Sequence, residues 1–202
     1  MSLFSDVYYE VERDAEFVLR ERGSKFFAFV YGVKSDQDIK EKLEGLKRQY
    51  PDATHHCYAW VMGARGEAQR ANDDGEPSNS AGRPILQSII SVGVTNVVVV
   101  VVRYFGGTLL GIPGLIESYG EAAESALRAA GRLEKFIEET YEISSAFEHE
   151  QEIHRLIAKY GARVLGSEYT EQVCYRVAVK AGVGRDFENA LFDHYQLSGK
   201  RM

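Results

Sequence analysis

Three short stretches of this 202-residue chain hold residue types whose spacing could support chemistry. In Asn72-Asp73-Asp74-Gly75-Glu76-Pro77-Ser78, the carboxylates of Asp73, Asp74 and Glu76 crowd around a glycine. Such a set has the oxygen ligands that a hard cation such as Mg²⁺ takes, although the spacing is not that of an EF-hand. The same carboxylates can instead accept hydrogen bonds from their own loop and order it. Mg²⁺ at Asp73, Asp74 and Glu76 is the only cofactor these residues bring into view; otherwise none is expected.

The second stretch is His55-His56-Cys57-Tyr58. On a strand, alternate residues share a face. His55, Cys57, Ala59 and Val61 then point one way, and His56, Tyr58, Trp60 and Met62 the other. A His-x-Cys pair offers two soft ligands where zinc needs three or four. A Cys–His nucleophile pair needs thiolate and base side by side, which neighbouring positions on one strand do not provide. The face with His56 and Tyr58 can stack unpaired bases, or pack under a helix.

The third stretch is Arg103-Tyr104-Phe105-Gly106-Gly107, with Gly111 and Gly114 beyond it. A strand that runs through glycines into a helix can present bare N–H groups to an anion. Neither GxGxxG nor GxxxxGK[ST] is present, so no dinucleotide or Walker assignment follows. Arg103, Gly106 and Gly107 are candidates for phosphate or nucleic-acid contact. Arg83 joins them, because it also sits between a glycine and a helix start and a guanidinium is a rigid fork for phosphate. The alternative for Arg103 is a structural arginine, buried at the strand end and paired with Asp73, Asp74 or Glu76.

The elements that would position these groups are legible in the patterning. Ala15–Arg20 and Ser24–Val33 form a hairpin about Arg22-Gly23. Ser35-Asp36-Gln37-Asp38 reads as a capping box, followed by Ile39, Leu43, Leu46 and Tyr50 at helical spacing and a stop at Pro51. A strand covers Thr54–Met62, and Gly63–Gly82 reads as a turn-rich stretch without periodicity. A short helix follows at Arg83–Val92. The strand Asn96–Tyr104 carries six consecutive valines and must be buried on both faces. Gly114–Ala130 is a helix closed by Gly131. A boundary is expected at Arg132–Lys135, giving domains 1–131 and 136–202. The second reads β-α-β-β-α, most of a ferredoxin-like unit, whose last strand would have to be the short Gln196–Met202. The class is α+β, with no internal repeat and no low-complexity tract.

Composition narrows the function. Hydrophobic residues make up 45% and charged residues 27%, as in an ordinary globular chain. A net charge of −6 disfavours coating nucleic acid through overall charge, so any such binding must be local. The longest apolar run, Val97–Val102, is far short of a membrane span, which needs about 20 residues. The acidic N-terminal stretch has no secretory h-region. Two cysteines without CxxC spacing indicate neither a disulfide framework nor a zinc knuckle. The expected location is the cytoplasm, with no membrane partner and an oligomeric state that the residues do not specify.

Four blocks carry a resemblance to a known family. His55-His56-Cys57-Tyr58-Ala59-Trp60, Asn72-Asp73-Asp74-Gly75-Glu76-Pro77, Ala81-Gly82-Arg83-Pro84-Ile85-Leu86 and Arg103-Tyr104-Phe105-Gly106-Gly107 occur in order and resemble the signature of the IMPACT family, in its bacterial YigZ-like form. Gly23-Ser24-Lys25-Phe26 is similar to the family's opening motif. The resemblance spans about residues 15–130 and is weaker beyond. It implies a first domain with the two-layer α/β fold of ribosomal protein S5 domain 2, and a second like the last domain of a translocating elongation factor. It further implies a role in regulating translation through RNA or ribosome contact. Two departures weaken an anion site at the glycine loop: Pro113 removes a backbone donor, and Glu117 stands where the family often has a basic residue. The rival readings are a metal-dependent hydrolase or phosphate-handling enzyme using Asp73, Asp74 and Glu76, and an adaptor with a protein partner.

Overall fold

The computed structural model describes residues 6–202. It divides into two compact units, Tyr8–Lys135 and Phe136–Met202, the latter with Asp6 and Val7. Among the described residues, no helix is long and apolar enough to cross a membrane.

The first unit opens with β1 (Val7–Val11), β2 (Ala15–Glu21) and β3 (Ser24–Gly32). Arg22 and Gly23 join β2 to β3 with positive φ at both positions, 45° and 82°. That two-residue turn matches the twist of an antiparallel pair. Helix α1 (Asp36–Gln49) starts on the capping box: Ser35 Oγ accepts from the Asp38 amide, and Asp38 accepts from the Ser35 amide. Then come β4 (His55–Met62), β5 (Ala68–Asn72), α2 (Gly82–Val92), β6 (Val97–Tyr104), α3 (Gly111–Ala130) and β7 (Arg132–Phe136).

Five of these strands form one sheet in the order β2-β3-β6-β4-β5, antiparallel throughout. Central β6 explains the valine run, since Val97–Val102 are all fully buried. Val97, Val99 and Val101 pack with Ile85 and Ile89 of α2 and Tyr119 and Ala122 of α3. Val98, Val100 and Val102 pack with Ile39 and Leu46 of α1. Helices therefore lie on both faces of the sheet, α2 and α3 on one and α1 on the other.

Two further expectations change in detail. The turn-rich stretch contains β5, an exposed edge strand held by its ladder to β4 rather than by side-chain burial, so no apolar alternation marks it. Helix α3 begins at Gly111, before Pro113; proline fits the first turn because its missing N–H would have no partner inside the helix. Residues 132–135 lie in β7, which pairs with β1 in a separate two-stranded sheet, and the chain divides into its two units just after them.

The second unit contains β8 (Glu138–Ser145), a single 3₁₀ turn at Phe147–His149, α4 (Glu150–Tyr160), β9 (Arg163–Tyr169), β10 (Val173–Lys180), α5 (Ala181–Asp193) and β11 (Leu197–Arg201). Its sheet runs β11-β8-β10-β9. Val173, Tyr175, Val177 and Val179 enter a core with Tyr141, Ile143, Ile153, Leu156 and Phe187. The closing strand does form: β11 pairs antiparallel with β8 from Leu197↔Ser145 to Arg201↔Tyr141. Four of its five residues are exposed, so the backbone ladder carries it.

Candidate functional site

β4 and β6 lie side by side, with His55 opposite Arg103. The segment between β5 and α2 folds back over this end of the sheet and delivers Glu76 to Arg103. The two side chains form an ion pair that is 6% and 4% exposed. Glu76 Oε1 also accepts from the Tyr119 hydroxyl of α3 at 2.8 Å, and His55 Nε2 lies 3.8 Å from the same oxygen. Arg103 Nη2 reaches Ser24 Oγ at 3.4 Å, and Arg103 Nε has no acceptor among the described residues. The His55 Nδ1 lies 2.8 Å from the Asp74 carbonyl oxygen. A carbonyl only accepts, so Nδ1 donates to it.

Cys57 lies next to this centre. Its sulfur is 2.9 Å from the Asp73 carbonyl, to which it donates, and 3.3 Å from the Tyr119 hydroxyl. Burial pushes the thiol and the Tyr119 hydroxyl far above their ordinary values, so both stay protonated at neutral pH. The thiol is thus a buried donor and not a poised nucleophile.

The three carboxylates of the acidic loop face different partners. Asp73 Oδ1 accepts the amides of Ala81 at 3.0 Å and Gly82 at 2.8 Å, and Oδ2 accepts that of Asn79 at 2.9 Å. It thereby caps α2, whose own N-cap, Ala81, has no capping side chain. Asp74 Oδ2 accepts the His56 amide at 2.6 Å. Glu76 takes Arg103 and Tyr119. Among the described residues, no group of three or more His, Cys, Asp or Glu side chains is arranged to hold a metal ion.

The glycines have a steric role. A Cβ on Gly106 would fall 1.9 Å from the Gly23 carbonyl carbon and 2.2 Å from the Ser24 nitrogen. Two backbones cross there in contact, tied by the Gly106 amide to Ser24 Oγ at 3.2 Å. Gly107 has φ +85° with open space around it, a conformation that glycine adopts without strain.

The structure brings Arg103 and Gly106 together with Glu76 of the acidic loop, whereas Asp74 of that loop reaches the His56 amide. His56 and Tyr58 lie on the opposite sheet face, towards α1. Tyr58 and Trp60 there line a groove of about 590 Å³ with Lys47 and Arg70. The His56 ring is buried, its Nε2 has no partner among the described residues, and loss of solvent lowers its pKa. Arg83 stands apart, exposed on the first turn of α2. Tyr119 was legible only as part of an apolar stripe, and Ser24 only as part of a motif. A further cleft of about 400 Å³ opens above His55, Glu76 and Arg103, walled by Phe105, Leu110 and Leu115. Its walls come from the glycine loop and α3, whose leucines carried no sequence signal beyond helix packing.

Residues 22–127 match the family model described as the Impact N-terminal domain. The chain belongs to the IMPACT family. IMPACT family member YigZ of Escherichia coli (strain K12) is 34% identical over 172 residues, 84% of this chain and 84% of the relative. IMPACT family member YvyE of Bacillus subtilis (strain 168) is 37% identical over 128 residues, 63% of this chain and 59% of the relative. A solved crystal structure of a hypothetical protein matches 98% of each chain at 29% identity, with a TM-score of 0.71. In this IMPACT chain, the blocks that carry the resemblance supply Glu76, His55, Cys57 and Arg103 to one centre. The opening motif supplies Ser24 and the glycine on which Gly106 rests.

Proposed function

We propose that this IMPACT-family chain regulates translation by holding a short single-stranded stretch of RNA, free or on the ribosome, in the groove between α1 and the β4–β5 edge. The observation that carries the reading is the placement of Tyr58 and Trp60, alternate residues on one face of β4 and both partly exposed. Arg70 lies opposite Trp60 in the strand ladder, and Lys47 approaches from α1. Neither cation has a carboxylate partner among the described residues. Rings for base stacking flanked by free cations are what a non-specific single-strand site needs. Asp36, Glu44 and Asp74 also line the groove, so the site is locally mixed in charge and should neutralise few phosphates.

The same reading takes the first unit as similar to ribosomal protein S5 domain 2. It takes the second as ferredoxin-like, similar to the last domain of a translocating elongation factor. The second analogy is supported by the β-α-β-β-α-β order and by the sheet sequence β11-β8-β10-β9. The enzyme reading draws no support from the acidic loop, because Asp73, Asp74 and Glu76 already serve α2, β4 and Arg103.

Trp60 is the chain's single tryptophan, so its fluorescence reports on the groove. Titration with oligouridylate should quench it saturably. Two phosphate contacts at roughly −0.7 each predict a slope of log affinity against log salt near about −1.4. Lys47→Ala or Arg70→Ala should each remove about 0.7 of that slope. Absence of quenching, or a slope unchanged in both variants, would refute this site.

A further inference from the structure

We propose that the groove between α1 and the β4–β5 edge selects guanine at one position of its RNA, through the side chains of Asn72 and Asp74. The inference rests on the RNA reading and adds the identity of a base.

Asn72 supplies a donor. It lines the groove and stands directly opposite Tyr58 in the strand ladder, so its side chain leaves the sheet on the same face as that ring. The Asp74 amide donates to Asn72 Oδ1 at 2.8 Å. A backbone N–H only donates, so this contact fixes which end of the carboxamide is oxygen. Nδ2 is left without an acceptor among the described residues.

Asp74 supplies the complementary acceptor. It also lines the groove, and its side chain is 35% exposed. Oδ2 takes the His56 amide at 2.6 Å, and Oδ1 has no donor among the described residues. The buried side-chain N and O atoms that lack a partner there are His56 Nε2 and Arg103 Nε, so Asn72 Nδ2 and Asp74 Oδ1 both reach solvent. Both groups are already held by hydrogen bonds to the backbone, so little ordering is needed on binding.

An amide donor beside a free carboxylate oxygen discriminates among unpaired bases, which are read on their pairing edges. Of the four, only guanine carries two adjacent donors there, N1–H and N2–H, with the O6 acceptor beside them. With the base stacked on Tyr58, the two donors meet the lone pairs of Asp74 Oδ1, and O6 accepts from Asn72 Nδ2. Hydrogen bonds to an ionised acceptor are roughly twice as strong as neutral ones. Adenine, cytosine and uracil each bring a single donor group to that oxygen. Each also places the lone pair of a ring nitrogen or carbonyl next to it, facing the negative charge.

The test follows Trp60 fluorescence of the full chain with pentaribonucleotides that differ at the central base: UUGUU, UUAUU, UUCUU, UUUUU and the inosine form UUIUU. Affinity is read from the titration midpoint, not from the depth of quenching. UUGUU should bind about tenfold more tightly than UUAUU or UUCUU. Inosine keeps O6 and N1–H but lacks the N2 amino group, so UUIUU should fall between. Asp74→Asn keeps an oxygen for the His56 amide and a residue type that tolerates the φ of 42°, while the free position becomes a donor. It should bring the ratio between UUGUU and UUAUU to about one, with a thermal melt to verify folding. Saturable quenching with equal midpoints for all pentamers would overturn the guanine inference and leave the RNA reading standing. Equal midpoints for UUGUU and UUIUU, or a preference that survives Asp74→Asn, would also overturn it. Quenching by none of the pentamers would refute the RNA reading and this inference with it.

Discussion

Arg103 and Glu76, 27 residues apart in sequence, form an ion pair from which solvent is nearly excluded. This pair ties the acidic loop to the central strand, and Tyr119 extends the tie to α3. Arg103→Ala would leave a carboxylate buried without its counter-charge, a loss of about 3–5 kcal/mol. Arg103→Lys keeps the charge but not the fork that reaches both Glu76 and Ser24, so its melting temperature should fall between those of wild type and Arg103→Ala. Equal melting temperatures for wild type and Arg103→Ala would contradict the pairing.

Gly106→Ala tests the backbone crossing. Its methyl group would overlap main-chain atoms of Gly23 and Ser24, which cannot rotate away as a flexible side chain can. A destabilisation of about 1–3 kcal/mol or more is expected by urea unfolding. Gly107→Ala meets no neighbour, so its smaller cost should come from the positive φ alone.

Asp73 should behave as a helix cap whatever the metal concentration. It accepts three backbone amides, two of them at the start of α2. Asp73→Ala should cost about 1–2 kcal/mol. Millimolar Mg²⁺ should leave the melting temperatures of wild type and variant unchanged. A rise in wild type that Asp73→Ala abolishes would return the carboxylates to metal binding.

Stability should decline on mild acidification because of His56. Burial lowers its pKa below the ordinary 6.5, against an opposing pull from Asp74. The folded state therefore holds the neutral ring while the unfolded chain takes a proton near 6.5. This contribution is complete above that value and shrinks as pH falls towards the lowered folded pKa. Urea melts at about pH 7.5 and about pH 5.5 should show the loss. His56→Gln should reduce it.

The β1–β7 pairing predicts where a first-unit fragment can end. A chain stopped at Gly131 loses β7 and leaves β1 without its strand partner. One that continues through Lys135 keeps most of the pairing. The longer fragment should melt at a higher temperature and exchange its β1 amides more slowly.

Local rules were sufficient for much of this fold. The Arg22-Gly23 turn, the Ser35–Asp38 box and the unbroken valines of β6 each depend on residues next to one another, so patterning alone located them. Segments held by backbone ladders were harder to read. β5, β7 and β11 bury little, so no apolar alternation marks them, and β7 was read as a boundary for that reason.

The site divides in the same way. Sequence alone placed His55 and Cys57 on one face of a strand and His56 and Tyr58 on the other, because strand side chains alternate. It also singled out Arg103, the acidic loop and the glycines, and kept open a pairing of Arg103 with a carboxylate. Only the tertiary structure chose Glu76 as that partner, assigned Asp73 to α2, and set Tyr58 and Arg103 on opposite sides of the sheet. Those outcomes depend on how the segment 73–81 between β5 and α2 crosses the end of the sheet, and on which buried charge meets which counter-charge once water is excluded. Neither is encoded in the spacing of neighbouring residues.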